Sequence, residues 1–205
     1  IGRLKDQLLD LAKQGKLFDQ SAADVADSMF SIAQAGYSSA EALTLARLAA
    51  EGAAVGFTTA ETSSALLVST LKAYNLPVSE ARHVMDVLFQ TVDTGMVTFE
   101  ELGKNLGKVL SSASALDIPL EEVGAAISTM TLRGFTGAQA MTSLGRMMQT
   151  FIRPSQRAKD VAAEFGIELN ANTVRSKGFI VTLQEMFAAT GGNVEKFAAM
   201  FDQIQ

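Results

Sequence analysis

Apolar residues recur at helical spacing along most of the chain, and short interruptions divide this pattern at nearly regular intervals. Val84, Leu88 and Val92, for example, lie on one face of a helix because they are four residues apart. The pattern predicts an all-α fold, a compact array or bundle of about ten short antiparallel helices. The predicted helices cover residues 3–14, 21–35, 39–54, 59–74, 79–94, 98–115, 120–133, 137–152, 156–165, 180–190 and 194–204.

Each interruption combines the features of a helix end with those of a new helix start. A glycine or asparagine supplies a left-handed residue past a helix end, and an apolar residue follows it. The predicted reversals lie near Gly36, Gly56, Asn75, Gly95, Asp117 and Gly134. Three of the segments that follow have a hydroxyl residue three positions before a glutamate, which is the spacing of a capping box. The predicted caps are Ser38 with Glu41, Thr58 with Glu61, and Thr98 with Glu101.

The spacing of the reversals also allows a helical solenoid, in which stacked pairs of helices repeat every 40 residues or so. The repeated units share their ends but little of their interior, and this favours a bundle. Residues 166–178 are predicted to be irregular. For Gly178–Leu183 a short strand is an alternative to a helix.

The predicted organisation is a leading helix and linker over residues 1–20, a helical core over 21–165, and C-terminal helices of the same domain over 166–205. The chain begins with Ile1 and ends inside a helical pattern. We therefore expect it to be a fragment of a longer protein.

Composition excludes several kinds of chemistry. Of the 205 residues, 48% are hydrophobic and 19% are charged, which excludes a solvated, disordered chain. The chain has no Cys, which excludes a disulfide framework and a thiolate zinc site. It has one His, which leaves a catalytic triad a single candidate histidine. Its longest uncharged stretches, Ser28–Ala40 and Gly134–Gly145, are shorter than the ~20 residues of a membrane span.

The titratable residues that could carry catalysis have ordinary structural explanations. His83 has Asp86 three residues further along a predicted helix, which suits a surface ion pair. Two pairs of glutamates, Glu100-Glu101 and Glu121-Glu122, each lie in the first turn of a predicted helix. The helix dipole stabilises carboxylates at that position. We therefore predict no catalytic residue, no metal site and no cofactor, and we expect no enzyme.

The charges are distributed unevenly. Residues 1–132 hold 9 basic and 16 acidic side chains, whereas residues 133–177 hold 7 basic and 3 acidic ones. The segment from Arg133 to Lys159 contains no acidic residue. It suits contact with an acidic partner or with nucleic acid, or packing of a basic face against the acidic part of the same chain. The candidate partner-binding residues are Arg133, Arg146, Arg153, Arg157 and Lys159.

The nine methionines have two interpretations as well. Methionines in a helical chain most often fill the core, and that is our interpretation. The alternative is an adaptable binding groove, with Met130, Met141, Met147 and Met148 as candidates.

A run of linked features extends from about Ala22 to about Leu183. Its segments are Ala35-Gly36, Ser38–Glu41, Thr58–Glu61, Ala73–Ala81, Asp86–Phe89, Thr98–Leu102, Leu120–Val123, Arg133-Gly134, Ala140–Leu144, Pro154-Ser155 and Phe165–Ile167. This run resembles the core region of phage tail tape measure proteins. Leu144-Gly145-Arg146 departs from the pattern, because that family often has Leu-Arg there.

The resemblance implies a structural protein of a phage or prophage tail. Tape measure proteins act in tail length determination, tail assembly and DNA ejection, and no catalytic residues carry over from them. The implied partners are tail tube and tail tip or baseplate hub proteins, assembly chaperones, and further copies with threefold or sixfold tail symmetry. Transient contact with genomic DNA or the host envelope is also implied, without any small-molecule substrate.

The implied location is the virion tail, assembled in the host cytoplasm. Two alternatives remain open. One is a helical adaptor that binds DNA or an acidic protein through residues 133–159. The other is a peptidoglycan-degrading enzyme module, which would need a glutamate in a cleft lined by aromatic and polar groups.

Overall fold

The computed structural model describes residues 22–56 and 58–201, and all regular structure within them is helical. Twelve α-helices and one short 3-10 helix follow one another in these ranges, with no strand among them. The prediction of an all-α fold is confirmed. The helix predicted over residues 3–14 and the apolar residue Phe57 lie outside the described residues.

Spatial proximity of Cα atoms divides the chain into two compact units, with the division between Gly107 and Lys108. The helices of the first unit are α1 (Ala22–Gln34), α2 (Ser39–Val55), α3 (Ala60–Ala73), the 3-10 helix Val78–Glu80, α4 (Ala81–Thr94) and α5 (Phe99–Asn105). The predicted domain boundaries after residues 20 and 165 stay predictions.

The second unit contains seven helices within its described residues. They are α6 (Gly107–Ala115), α7 (Leu120–Leu132), α8 (Gly137–Ile152), α9 (Gln156–Ala163), α10 (Ala171–Lys177), α11 (Phe179–Ala189) and α12 (Val194–Ala199). Only Gly107, the first residue of α6, falls before the division.

Small residues bring the helices of the first unit close together. Helices α1, α2 and α3 pack against one another, and α4 and α5 pack against α3. The buried face of α2 consists mainly of alanines that are at most 1% exposed. Gly52 on this face is essential to the close approach, because a Cβ there would lie 2.7 Å from Ser63 Oγ and would overlap the end of Met85.

Aromatic rings fill much of the second unit. Phe151 from α8 packs edge-on against Phe179 from α11, with ring centroids 6.0 Å apart, and lies 6.1 Å from Phe201. Phe197 of α12 extends this cluster, 5.2 Å from Phe201 and 5.6 Å from Phe187. Edge-to-face contacts of this kind stabilise a core beyond the area that they bury.

The helix ends divide into two groups. In the first group, the residue after the helix is left-handed. Asn75 has a φ of 51°, and the amides of Asn75 and Leu76 donate to the carbonyls of Lys72 and Leu71, respectively. This is a Schellman motif, and the ends at Asp117 and Gly134 repeat it. Gly36 also has a positive φ.

At Gly56 and Gly95 the prediction of a left-handed residue is wrong. Gly56 has φ of −82° and Gly95 has φ of −105°. Position 56 requires glycine for another reason: a Cβ there would lie 2.8 Å from the ring of Phe99. At this position the small residue provides space for a ring rather than an unusual backbone conformation.

Two helix predictions require correction. The helix predicted over 98–115 is divided at Leu106 into α5 and α6. Asn105 explains the break in part, because its side-chain amide donates to the Glu101 carbonyl at 3.0 Å, where it competes with the helical backbone bond. Asn105 and Gly107 are also poor helix formers on either side of the break.

The segment predicted to be irregular over 166–178 contains α10. Asn170 caps this helix by accepting a hydrogen bond from the Thr173 amide at 2.9 Å, and Gly178 ends it with φ of 87°. The asparagine before Ala171 and the glycine after Lys177 were the signals in the sequence. The strand alternative for Gly178–Leu183 is wrong, because α11 begins at Phe179.

Candidate interaction surface

Two of the three predicted capping pairs form capping boxes at helix starts. Ser38 Oγ accepts from the Glu41 amide, and Glu41 Oε2 accepts from the Ser38 amide at 2.8 Å, which completes a capping box. Thr98 and Glu101 form the same reciprocal pair at the start of α5. These carboxylates therefore hold backbone amides, and their helices begin where the sequence placed them.

The cap of α3 lies one residue later than the sequence predicted. Thr59, and not Thr58, accepts the hydrogen bond from the amide of Thr62, at 3.1 Å. The amide of Thr58 still donates to the Ala53 carbonyl and so closes the end of α2. Since Thr58 completes one helix, the next can start only after it, and Glu61 has no capping-box partner at position 58.

The other candidate carboxylates have structural contacts too. Glu100 accepts from the Lys104 ammonium at 2.5 Å, one helical turn further along α5. Glu122 Oε1 accepts from the amide of Ile180 at 2.8 Å and so holds the start of α11 against α7. His83 lies exposed on α4. Among residues 22–56 and 58–201, no group of three or more histidine, aspartate or glutamate side chains is arranged to hold a metal ion.

Within the part of the chain that the structure describes, three pKa values depart from their ordinary range. Hydrogen bonds from Ser38 lower the pKa of the Glu41 carboxyl, and the hydrogen bond from Lys104 lowers that of Glu100. Burial raises the pKa of the Tyr37 hydroxyl, and the charge of Glu41 raises it further. A general acid needs a carboxyl with a raised pKa, which is the opposite of the shift at these two glutamates.

The five candidate basic residues are exposed and come from three parts of the second unit. Arg133 caps the C-terminus of α7, Arg146 lies in α8, Arg153 ends α8, and Arg157 and Lys159 lie in α9. Helix α9 also carries Asp160, so its charge is mixed. The five candidates therefore do not belong to a single helix.

Arg133 and Arg146 border one open depression of about 620 Å³. Between them lie Phe135 and the polar side chains of Gln139, Thr142 and Ser143. The depression contains hydrogen-bond donors and two cations but no carboxylate, so it suits an anionic group from a partner.

Arg146 and Thr150 lie one turn apart on α8, and Arg153 follows the helix as its C-cap. The Arg153 amide donates to the Gln149 carbonyl at 2.8 Å, but its φ of −139° and ψ of 69° are not helical. Both arginines are exposed.

A second surface of this unit is an apolar groove of about 420 Å³ formed by α7, α8 and α11. Met130 and Met147 line it, together with Ile180 and Leu183 from α11. Met141 and Met148 are instead completely buried. The four candidate methionines are therefore divided between core and groove. The residues of α11 that complete the groove were not predicted from the sequence.

No helix among the described residues is both long and apolar enough to span a bilayer. The amphipathic helices described above have one face in a core and the other exposed. The exposed faces provide surfaces for contact.

The sequence as a whole is similar to known tail proteins. A family profile described as "Phage-related minor tail protein" matches residues 5–205. The chain is 27% identical over 189 residues to a "Tape measure protein" of Pneumococcus phage Dp-1, which covers 92% of this chain and 16% of that protein. It is 25% identical over 195 residues to a "Probable tape measure protein" of Escherichia phage P2, which covers 92% of this chain and 24% of that protein.

A third relative is a "Probable tape measure protein" of Clostridium phage phiCD119, with 40% identity over 70 residues, 34% of this chain and 7% of that protein. No solved structure matches. The similarities confirm the resemblance to tape measure proteins that the residue pattern indicated. The chain spans less than a quarter of the length of each of these relatives.

Proposed function

The chain belongs to the phage-related minor tail protein family, and from this premise we propose that it is a structural segment of a tail tape measure protein. The observation that carries the proposal is the match of the family profile to residues 5–205, together with two relatives that each cover 92% of the chain. The segment would act in the tail of the virion, in tail assembly, tail length determination and DNA ejection.

The partners that we propose are other tail components. These are the tail tube, the tail tip or baseplate hub, assembly chaperones during tail growth, and further copies of the chain with threefold or sixfold symmetry. The exposed arginines at α7 and α8 and the apolar groove of the second unit are surfaces on which such contacts could form. Subunits around the axis of a symmetric tube are expected to be related by the same symmetry.

Within that role, the segment is better suited to be a folded module than a ruler. The longest described helix, Ser39–Val55, has 17 residues and so extends about 25 Å. One continuous helix of 205 residues would extend about 310 Å. The capped ends that divide the chain into short helices shorten it greatly, which suits docking at the tail tip or action at the host envelope during ejection.

Tail length in a phage with this segment deleted in frame tests the proposal. We expect tails that are shorter by far less than 310 Å, with a loss of assembly or of infectivity. Tails shortened by about 1.5 Å for each deleted residue would instead assign the segment to the ruler. Duplication of the segment is the matched control, because a ruler segment would lengthen the tail by the same amount. Electron micrographs of purified tails measure both.

A second candidate function is a helical adaptor that binds DNA or an acidic protein through residues 133–159. The observation that favours it is the absence of acidic residues from Arg133 to Lys159, with all five basic residues exposed. Binding of duplex DNA that falls steeply between low and moderate salt would support it. Absence of DNA binding at low salt would restrict the surface to protein partners.

We propose that the segment is not an enzyme. Glu100, Glu101 and Glu122 are engaged with Lys104, Thr98 and the amide of Ile180, and such contacts oppose a role as a free general acid. A zymogram of the full chain on peptidoglycan tests the alternative of an envelope-degrading module. A cleared band would overturn the proposal, and a lysozyme lane provides the positive control.

A further inference from the structure

The apolar groove of the second unit has the lining that a partner helix requires. One face of α7 lines it over about 12 Å, with Glu122, Ala125, Ala126, Thr129 and Met130 at helical spacing. The two alanines and the threonine are small, so the backbone of another helix can approach α7 closely. Leucine, methionine and isoleucine side chains from α8 and α11 complete the lining. Such a groove suits the apolar stripe of an amphipathic helix.

The groove is charged at one end. Among the described residues that line it, Glu122 is the only charged one. Its side chain is half-buried, and its Oε1 atom accepts from the amide of Ile180 at 2.8 Å. A partner helix with cations beside its apolar stripe therefore matches the groove better than one with carboxylates there.

The chain itself contains a segment with this pattern, the helix predicted over residues 3–14, which lies outside the described residues. Leu4, Leu8 and Leu11 are spaced i, i+4 and i+7, which places them on one stripe about 10.5 Å long. This spacing is typical of the anchors by which a helix binds in a groove. The leucine stripe is about as long as the face of α7 that lines the groove.

The charges of the same segment are arranged around the stripe as the groove requires. On a helix with 3.6 residues per turn, Arg3 and Lys5 lie on the two flanks of the leucine stripe. Asp6 and Asp10 lie on the far side. The side of the segment that would enter the groove thus brings cations, and no carboxylate, toward Glu122.

We propose that the apolar groove binds the helix predicted over residues 3–14 of a second copy of this chain. The proposal rests on the proposed function as a multi-copy tail component and gives one contact between copies a location. The segment and the groove are different surfaces, so the contact is heterologous, and its repetition produces a ring or a filament rather than a closed pair. Burial of the three leucines is the main source of affinity.

Disulfide bridging between two copies tests the proposal, because the chain has no cysteine of its own. One copy carries Leu8→Cys at the centre of the leucine stripe, and the other carries Ala126→Cys on the α7 side of the groove. One of the two also carries a tag, so that the mixed dimer has its own mass. Cysteines bridge only when their Cα atoms lie within about 7 Å, so we expect the mixed dimer to form about tenfold faster than in the control.

The matched control pairs Leu8→Cys with Leu132→Cys, which lies on the same helix outside the groove. Leu132 is 61% exposed, whereas Ala126 is half-buried. Random collision would therefore favour the control, and faster bridging at Ala126→Cys requires the segment to lie in the groove.

Sedimentation of the full chain measures the strength of the same contact. Leu8→Asp with Leu11→Asp should weaken self-association by more than about tenfold, because the anchors are lost and carboxylates face Glu122. Thr129→Arg should weaken it as well, because an arginine at this exposed position fills the groove and repels the cations of the segment. Leu132→Arg is the control and should associate as the wild type does. Circular dichroism verifies that each variant is folded.

Several results would overturn the proposal. Mixed dimers that form no faster than in the Leu132→Cys control would place the segment elsewhere. A chain that carries both Leu8→Cys and Ala126→Cys and bridges mainly within itself, as a monomer, would exclude a second copy as the source of the segment. Association that Thr129→Arg leaves unchanged would assign the groove to another partner. These three results leave the multi-copy function and the tail-length experiment standing, whereas a full chain that stays monomeric would contradict the multi-copy function as well.

Discussion

The cores of the two units consist of different types of side chain. In the first, alanines and Gly52 on α2 let three helices approach closely, and Leu66, Leu67 and Leu71 fill the remaining space. In the second, the rings of Phe151, Phe179 and Phe201 meet at 6.0 and 6.1 Å. A core of small residues has little room for added atoms, whereas a core of large rings loses most stability when atoms are removed.

The units differ in charge as well, and this difference is more relevant to function. Acidic residues outnumber basic ones ten to four between residues 22 and 107, and the exposed arginines of α8 belong to the second unit. Between residues 108 and 201 the second unit holds nine basic and eight acidic residues, so it is nearly neutral where the first unit is acidic.

The largest effect is expected from removal of a central ring. Phe151→Ala should destabilise the second unit by about 3–5 kcal/mol, because Phe151 is 1% exposed and its loss leaves a cavity beside Phe179 and Phe201. Hydrogen exchange measured by mass spectrometry reports each unit separately. The amides of α2 and α3 should keep their protection, and a loss of protection there would contradict independent cores. Phe187→Ala, at a ring that is 40% exposed, is the control with a smaller effect.

The second largest loss of stability is expected from a methyl group added where a backbone atom leaves no room for it. A Cβ at Gly145 of α8 would lie 2.9 Å from the carbonyl oxygen of Lys108, which cannot rotate away. Gly145→Ala should therefore cost about 1–3 kcal/mol in chemical denaturation. Gly107→Ala meets no atom within 4 Å and serves as the matched control. If both variants had the same stability, close packing at Gly145 would not contribute to the second unit.

The cap of α3 allows a smaller test in the first unit. Thr59→Ala should cost about 1 kcal/mol, because the Thr62 amide loses its acceptor, whereas Thr58→Ala should change stability little. The two threonines are adjacent, so each variant is the control for the other. An equal or larger loss of stability in Thr58→Ala would indicate that Thr58 is the cap, as its spacing from Glu61 predicts.

The smallest effect concerns the capping box at α2. Ser38→Ala should raise the pKa of Glu41 toward its ordinary value, because hydrogen bonds from Ser38 are the main cause of its lowering. A lowered pKa in the folded state means that the carboxylate stabilises the fold above its ordinary pKa and that this contribution fades as pH falls through the lowered value. NMR titration of the carboxyl carbons measures the shift. Glu100, held by Lys104, is the internal reference and should not move.

Much of the fold could be predicted from local patterns. The apolar spacing placed eight of the described α-helices to within a few residues, because each buries one face and its ends carry capping residues. The differences between prediction and structure are also local. The spacing from Thr58 to Glu61 predicts a cap that Thr59 provides instead, and α10 has only seven residues between Asn170 and Gly178, too few to show a helical repeat. Spacing alone does not show which amide already has a partner.

The candidate surface could be predicted only in part. Its residue types were visible in the sequence, since Arg133, Arg146 and Arg153 lie in a stretch without carboxylates. The depression that Arg133 and Arg146 border could not be predicted, because it depends on how α7 and α8 pack. The apolar groove combines Met130, Met147 and Ile180 from three helices, and no pattern within one helix indicates it.

The sequence by itself determined the helical class, most helix ends and the relationship to tail proteins, because helix periodicity, capping and family features are encoded in neighbouring residues. The tertiary structure alone decided the division at Gly107, the reason for glycine at positions 52 and 56, and which exposed arginines border one depression. Those properties depend on distances between atoms that are far apart in the chain. Packing sets these distances, and a repeat of polar and apolar residues does not contain them.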